Sequence, residues 1–173
     1  ITAQDLEVKQ IENFEDLQFA VPTLGFQKGA YSGSGITLRG IGNFAVGNSS
    51  SASIGYFWNG QSASASGLYE AEFFDVERVE VLRGPQGSLF GAGTTGGLIQ
   101  MITKRPDAEA GGYIKTDVAD YDSVRLEGAV NLPLSDTLRA RFAFASLERD
   151  GFVTNSHTGN KLDNRSTQAA RMS

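Results

Sequence analysis

Residues Phe73 to Pro106 read FFDVERVEVLRGPQGSLFGAGTTGGLIQMITKRP and concentrate glycine between two apolar runs. Six of the fourteen residues from Gly84 to Gly97 are glycine, a density that lets backbone segments approach more closely than any Cβ would allow. An alternating run, 78–83, precedes the glycines and an apolar run, 98–103, follows them, and both predict β-strands. The stretch therefore predicts two strands joined by a compact elbow that is poor in side chains.

The glycine cluster also contains G-x-G-x-x-G, the pattern of dinucleotide-binding loops, at Gly91 to Gly96. A dinucleotide site needs a strand before this pattern and a helix after it. Here a helical turn, Ser88 to Phe90, with Ser88 as the expected N-cap, comes first and a β-type run follows. No Gly-Lys-Ser/Thr closes the loop. The order argues against phosphate binding, and a nucleotide-dependent enzyme remains a weak alternative.

Composition excludes several function classes. The net charge of the 173 residues is −5, which argues against a nucleic-acid partner. With no cysteine and a single histidine, His157, the sequence offers no thiolate or histidine cluster for a metal, and we expect no cofactor. No G-x-S-x-G elbow is present, and we expect no catalytic residue. Acidic residues imitate a glycosidase dyad, but a solvated turn before a strand is the favoured interpretation: Glu70, Glu72, Asp75 and Glu77.

Two capping pairs predict short helices near the N-terminus. Thr2 with Asp5 predicts a helix through about Gln10, and Asn13 with Asp16 predicts a second one. The second helix must end before Pro22, because the residue before a proline disfavours the α region. Both helices are short and amphipathic, so they need a sheet to cover.

Further strands complete a first domain. Ile36 to Arg39 alternates apolar and polar residues, and Ile54 to Trp58 runs into Asn59-Gly60, a strong hairpin signal. With the strands around the glycine elbow, these segments predict an α+β domain over residues 1–107, a small mixed sheet with short flanking helices.

The pattern changes after Pro106. Apolar and polar residues alternate over three segments, around residues 113–119, 124–132 and 138–145, and a fourth strand begins near Thr167. A short turn at 132–136 and a long polar loop at 148–165 are typical of outer-membrane barrels. A soluble antiparallel sheet with one buried face is the alternative, but it would leave two open edges and an apolar face. We therefore predict that residues 108–173 form the first antiparallel strands of a transmembrane β-barrel, incomplete in this chain.

Five ordered blocks of the sequence belong together: Asp5-Leu6 with Phe14 to Leu17, Ile36 to Gly40, Val79 to Pro85, Ser88 to Gly91, and Gly96-Gly97 through Lys104 to Pro106. In these blocks the chain resembles the plug domain of TonB-dependent outer-membrane receptors and transporters. The resemblance is specific for the family and much weaker for the substrate.

The resemblance implies a function and a location. It implies energy-coupled import of a scarce nutrient across the Gram-negative outer membrane, most often a ferric siderophore, with the plug in the barrel lumen and its N-terminal side towards the periplasm. Iron would then enter only as part of a bound chelate. Cobalamin, haem or oligosaccharide uptake would leave the same signature, and a soluble periplasmic binding or signalling module is the rival. Expected partners are outer-membrane lipid and the TonB complex, reached through a segment upstream of Ile1.

The resemblance also implies site residues. Arg39 and Arg83 each end a strand before a glycine, and they would pair with barrel glutamates to hold the plug, with Glu80 sharing the network. Substrate would meet the plug's outward tips, and we expect these residues there: Lys28, Tyr31, Phe44, Ala45, Val46 and Ser66. On the later strands Arg125, Arg139 and Arg141 are expected to face a wet lumen.

Overall fold

A computed structural model describes residues 1–28, 34–42, 53–63, 71–91 and 93–173. The chain divides into two compact units, Ile1–Thr103 (unit 1) and Lys104–Ser173 (unit 2). Each unit has its own sheets, so we describe the two in turn.

Two helices open unit 1 where the capping pairs predict them. Helix α1 spans Ala3–Val8, and the Thr2 hydroxyl accepts a hydrogen bond from the Asp5 backbone N–H while the Asp5 carboxylate accepts one from the Thr2 backbone. Helix α2 spans Phe14–Ala20 and begins at its N-cap Asn13. Each cap satisfies backbone donors that the first helical turn leaves without partners. Both predicted helices are confirmed.

Three antiparallel strands follow α2. They are β1 (Leu24–Lys28), β2 (Ser34–Leu38) and β3 (Ile41–Gly42), in the order β1-β2-β3. The sequence did not predict β1, and it placed residues 36–39 in the mixed sheet, whereas the structure puts β2 in this separate sheet. That assignment was wrong because alternation identifies a strand but not its neighbours.

The predicted mixed sheet is confirmed and has four strands. These are β4 (Ile54–Trp58), β5 (Gln61–Ser62), β6 (Val76–Arg83) and β7 (Gly97–Thr103), in the order β5-β4-β7-β6. Strand β4 runs parallel to β7, and β6 runs antiparallel to it. Asn59 and Gly60, with φ of 50° and 82°, form the predicted hairpin turn between β4 and β5.

The core of unit 1 lies where α1, α2 and both sheets meet. Phe14 is fully buried, and its ring makes edge-on contacts with Tyr56 and Phe73 at centroid distances of 4.9 and 5.1 Å. Such pairs contribute beyond the area that they bury. Other fully buried side chains are Leu17, Leu38, Val79, Leu98, Ile99 and Met101. Unit 1 thus has the apolar interior of a water-soluble domain.

The glycine elbow joins β6 to β7 as predicted. Backbone N–H groups of Gly84 and Gln86 donate to the carbonyl oxygens of Gly96 and Thr94, which extends the pairing beyond the strands. Helix α3, Gly87–Phe90, closes the elbow. Its N-cap is Gln86, without a side-chain hydrogen bond, so the expectation of Ser88 as N-cap was wrong: the helix begins one residue earlier and includes it.

Unit 2 is a four-stranded antiparallel sheet with a small hairpin. The strands are β8 (Gly111–Ala119), β9 (Ser123–Pro133), β10 (Arg139–Arg149), β11 (Val153–Thr154), β12 (Lys161–Leu162) and β13 (Arg165–Met172). The large sheet has the order β13-β10-β9-β8, and β11 pairs with β12 within the long loop. All four predicted strands are confirmed. In the part of the chain that the structure describes, no helix has the length and hydropathy needed to cross a membrane.

Candidate functional site

On the two central strands of the large sheet of unit 2, the polar face carries the more buried side chains and the apolar face the more exposed ones. Along β9 the valines and leucines of the alternating pattern are exposed, whereas Arg125 is only 5% exposed. Along β10, Phe142 and Phe144 are 42% and 40% exposed, whereas Arg141 is 7% exposed. A soluble sheet with one buried face would bury the phenylalanines and expose the arginines. The soluble-sheet alternative therefore predicts burial of the face that the structure exposes.

The border of the apolar face is stepped. At one end of the sheet the face carries Val118 and Val124 on β8 and β9, but Glu148 and Ser166 at the same register on β10 and β13. Two register rows further along, Phe144 faces Ala170 and the apolar surface resumes. The whole step of four residues, about 14 Å, falls between β9 and β10. A level apolar slab produces such a displacement when the strands are inclined to it, as they are in membrane barrels.

The polar face holds a compact charged group. The Arg125 guanidinium lies 3.3 Å from the Glu127 carboxylate, and the Tyr113 hydroxyl donates to the same carboxylate at 2.6 Å. Buried charges of this kind need such partners. Arg125, Arg139 and Arg141 all lie on the polar face; Arg125 and Arg141 are buried, and Arg139, the first residue of β10, is exposed. That this face lines a wet lumen stays a prediction.

In unit 1 the sequence-predicted arginines lie at the ends of two strands that meet at Gly97. Arg83 ends β6 and pairs in register with Gly97, the first residue of β7. A Cβ on Gly97 would lie 2.7 Å from Leu38 Cδ2 and 2.4 Å from the Leu82 carbonyl oxygen, so only glycine permits this approach. Arg39 directly follows Leu38. Close packing at one glycine therefore brings the two arginine-bearing strand ends to the same region of unit 1.

Both arginines are available for further contacts. Arg39 and Arg83 are exposed, and within the described residues neither guanidinium has an ion pair. Arg39 has a left-handed φ of 56°, and its backbone N–H donates to the Thr23 carbonyl oxygen at 2.8 Å, which fixes the backbone from which the side chain extends. The feature that sequence reasoning did not identify is this fixed left-handed turn.

Glu80 has a different partner from the one expected. Its carboxylate accepts from Arg78 Nε at 2.7 Å, two residues back on the same face of β6. This hydrogen bond raises the pKa of Arg78 above its ordinary value. In the described structure Glu80 therefore pairs with Arg78 and forms no ion pair with Arg39 or Arg83.

Of the expected substrate-contacting residues, the structure places one. Lys28 is exposed at the end of β1, opposite Ser34 of β2. The five others lie outside the described residues: Tyr31, Phe44, Ala45, Val46 and Ser66.

The acidic segment before β6 differs from expectation. Glu72 and Asp75 are buried, and both take part in polar contacts, so the prediction of a solvated turn was wrong for them. Glu77 is exposed and contacts Arg78, and Glu70 lies outside the described residues. The signal was available in part, because Phe73 and Phe74, which lie between Glu72 and Asp75 in the sequence, are both core residues.

The Gly91 loop lies between α3 and β7. Its order, helix then strand, is the reverse of a dinucleotide site, and the residue at position 92 lies outside the described part. Gly93 and Gly97 have φ of 90° and 139°, and the Thr94 hydroxyl donates to the Gly91 carbonyl at 2.9 Å. These glycines thus allow backbone conformations that other residues rarely adopt.

A small glycine-packed α+β unit followed by strands that expose their apolar face defines a class: a plug domain followed by the first strands of a membrane barrel. The TonB-dependent receptor plug domain profile matches residues 1–98 of the sequence. The chain belongs to the family of TonB-dependent receptors.

Relatives support this assignment over different parts of the chain. The pesticin receptor of Yersinia pestis is 40% identical over 88 residues, 49% of this chain and 13% of the receptor. The ferripyoverdine receptor of Pseudomonas aeruginosa is 28% identical over 159 residues, 88% of this chain and 18% of the receptor. This chain therefore spans less than a fifth of the length of either relative.

Solved structures match the fold across both units. The ferric yersiniabactin uptake receptor FyuA from Yersinia pestis aligns over 98% of this chain and 27% of its own, with a TM-score of 0.79 and 27% identity. The pyoverdine outer membrane receptor FpvA of Pseudomonas aeruginosa aligns over 89% of this chain and 22% of its own, with a TM-score of 0.72 and 23% identity.

Proposed function

We propose that this chain is the plug and the first wall strands of an outer-membrane receptor that imports a ferric siderophore with energy from the TonB complex. The observation that carries the proposal is the exposed apolar face of β9 and β10 directly after a plug fold. In water that face would be unfavourable, whereas in hydrocarbon it is the stable arrangement. Relatives named for pyoverdine and yersiniabactin support a siderophore as the cargo.

An orientation follows from the loop lengths. The turn between β9 and β10 spans 134–138, and the segment between β10 and β13 spans 150–164 with its own hairpin. Because barrels have short periplasmic turns and longer external loops, the 134–138 turn is assigned to the periplasm and 150–164 to the exterior. A pull from the periplasm would reach unit 1 through chain preceding Ile1.

Arg39 and Arg83 are assigned to the contact that holds the plug in the barrel. Support comes from their convergence at Gly97 and from the two guanidinium groups being without ion pairs in the described residues. A guanidinium buried against the wall needs a carboxylate, and removing one partner of a buried pair typically costs about 3–5 kcal/mol. Substrate contact is assigned to Lys28 and the neighbouring tips at residues 31, 44–46 and 66.

The function is tested with the full-length receptor in a deletion strain grown under iron limitation. Uptake of radioactive iron is measured with pyoverdine-type, yersiniabactin-type and catecholate chelates, and uptake of labelled cobalamin and of labelled haem is measured in parallel. We expect energy-dependent uptake of one ferric chelate and recovery of the protein in the outer-membrane fraction. Recovery in the soluble periplasm would refute the membrane assignment, and uptake of cobalamin or haem alone would refute the siderophore.

The proposed contact between plug and barrel is tested with Arg39→Ala and Arg83→Ala. The control is Arg105→Ala, which removes an exposed arginine outside both strand ends. We expect faster hydrogen exchange of the plug and increased sensitivity to large antibiotics for the first two variants only. Equal behaviour of all three variants would refute the role of Arg39 and Arg83 in holding the plug, but it would not refute the transport proposal.

A further inference from the structure

One side chain of β9, Asn131, fastens the segment that joins the two units. Asn131 is 2% exposed and lies opposite Gly111 of β8 and Arg141 of β10. Its Oδ1 accepts from the Asp107 backbone N–H at 3.1 Å, and its Nδ2 donates to the Asp107 carbonyl at 3.1 Å and to the Asp107 carboxylate at 2.9 Å. A single carboxamide thus satisfies both backbone groups of Asp107, as a neighbouring strand would.

The same amide holds the next turn of the segment. Asn131 Nδ2 also donates to the Glu109 carbonyl at 2.5 Å, and the Glu109 backbone N–H donates to the Asp107 carboxylate at 2.8 Å. Three acceptors therefore surround a group with two hydrogens. Pro106, immediately before this turn, has a fixed φ and no N–H, so it limits the ways in which the segment can leave the amide.

The position of this amide matters because unit 1 ends at Thr103 and unit 2 begins at Lys104. Tension along the backbone from unit 1 must pass residues 104–110 before it reaches β8. Strand β8 pairs with β9 and begins with Gly111 and Gly112, which have no side chains to hold it. Pulled from that end, its pairing with β9 would open one residue at a time, whereas the Asn131 amide places four hydrogen bonds at one point.

We propose that Asn131 is a positioning residue that stops a pull on the plug at Asp107 and keeps it from peeling β8 off the barrel wall. The inference rests on the proposed function, because it assumes that unit 1 is pulled during import. Asn131, a residue of the barrel wall, then determines where the part of the receptor that moves under tension ends.

The hydrogen bonds that join Asn131 to Asp107 and Glu109, called the clamp below, are tested by hydrogen exchange on the full-length receptor in detergent or in a bilayer. Asn131→Asp keeps the size of the side chain, removes the Nδ2 donor and sets a carboxylate against that of Asp107. We expect exchange at the Asp107 and Glu109 amides to be at least about tenfold faster, the effect of losing one hydrogen bond, with β10 unchanged. Asn155→Asp is the control, because the Asn155 side-chain oxygen accepts hydrogen bonds from the backbone N–H groups of His157 and Thr158, and a carboxylate oxygen accepts them equally well.

Unchanged exchange at Asp107 and Glu109 in Asn131→Asp would overturn the clamp. If that variant fails to insert, Asp107→Ala decides, since it removes the carboxylate from the linker side and leaves β9 intact. The same amides should then exchange faster, and protection equal to that of the parent would again overturn the proposal.

The mechanical role is tested by pulling the bilayer-embedded receptor through a handle attached at Ile1. In the parent the chain should extend to a firm stop after about 107 residues, about 370 Å of extended chain. In Asn131→Asp the stop should move about 40 Å further, to the end of β8. A stop that does not move overturns the role. If the parent receptor takes up no ferric chelate, the proposed function is refuted, whatever the exchange and pulling experiments show.

Discussion

Unit 1 and unit 2 use the same alternation of apolar and polar residues in opposite senses. In unit 1 Phe14 lies at the centre of a core and charged residues such as Arg39 are exposed. In unit 2 Phe142 and Phe144 are exposed and Arg125 is buried. The hydrophobic effect drives both arrangements, and the difference indicates that the medium around unit 2 is not water.

The largest expected effect breaks the core of unit 1. Phe14→Ala should lower the free energy of unfolding of unit 1 by about 3–5 kcal/mol, because two ring contacts are lost and a cavity remains. Phe19→Ala, on the same helix but 83% exposed, should change it by no more than about 0.5 kcal/mol. Hydrogen exchange of the β7 amides in the solubilised receptor measures both. Equal losses would contradict the burial that distinguishes the two phenylalanines.

A charge on the apolar face tests the other side of the comparison. Phe142→Arg should destabilise the inserted protein by about 2–4 kcal/mol, whereas Ser146→Arg, on the same face of β10 but at the border of the apolar surface, should cost about 0–1 kcal/mol. Reversible folding into lipid vesicles measures the difference. If both variants fold equally well, the face does not contact hydrocarbon.

A smaller effect is expected at the point where the two sheets of unit 1 meet. Gly97→Ala should cost about 1–3 kcal/mol, because its Cβ overlaps Leu82 and Leu38 and its φ is 139°. Gly87→Ala is the matched control, since nothing lies within 4 Å of its Cβ and it begins α3. Urea denaturation of the plug in the receptor separates them. A neutral Gly97→Ala would contradict the close approach of β2 to β7.

The smallest effect is the pH dependence of the first helix cap. Hydrogen bonds from the Thr2 backbone and hydroxyl lower the pKa of Asp5 below its ordinary value of 3.8. Since the folded pKa is the lower one, the stabilisation is present above pH 3.8 and is lost as the pH falls through the folded pKa. Exchange at the Asp5 and Leu6 amides measures the opening of the cap. Thr2→Val should raise the pKa towards 3.8, and an unchanged midpoint would contradict the cap.

Local signals predicted the parts of the fold that depend on neighbouring residues. The Thr2 and Asp5 cap needs only a three-residue spacing, and Asn59-Gly60 needs only two residues that tolerate positive φ. Strand β1 was not predicted because Leu24–Lys28 has no clear alternation of apolar and polar residues. Its Gly25 is needed because a Cβ there would lie 2.6 Å from the hydroxyl of Thr37, a residue distant in sequence. Its strand character comes from pairing with β2.

The candidate site was predictable to a smaller extent. The positions of Arg39 and Arg83 at strand ends could be predicted, but their convergence depends on Leu38 packing against Gly97, which no local pattern encodes. The Arg78 partner of Glu80 was within reach of sequence reasoning, because residues two apart on a strand share a face. The linker contact of Asn131 had no sequence signal beyond a polar residue in an alternating strand.

The stepped border of the apolar face has a consequence for thickness. Strands β9 and β10 have eleven residues each, and a strand that rises about 3.4 Å per residue while leaning at about 45° gains only about 26 Å in height. That height equals the hydrocarbon layer that an outer-membrane wall must span, about 25 Å. Upright strands of the same length would overshoot the layer by about half its depth, so the lean and the residue count are matched to each other.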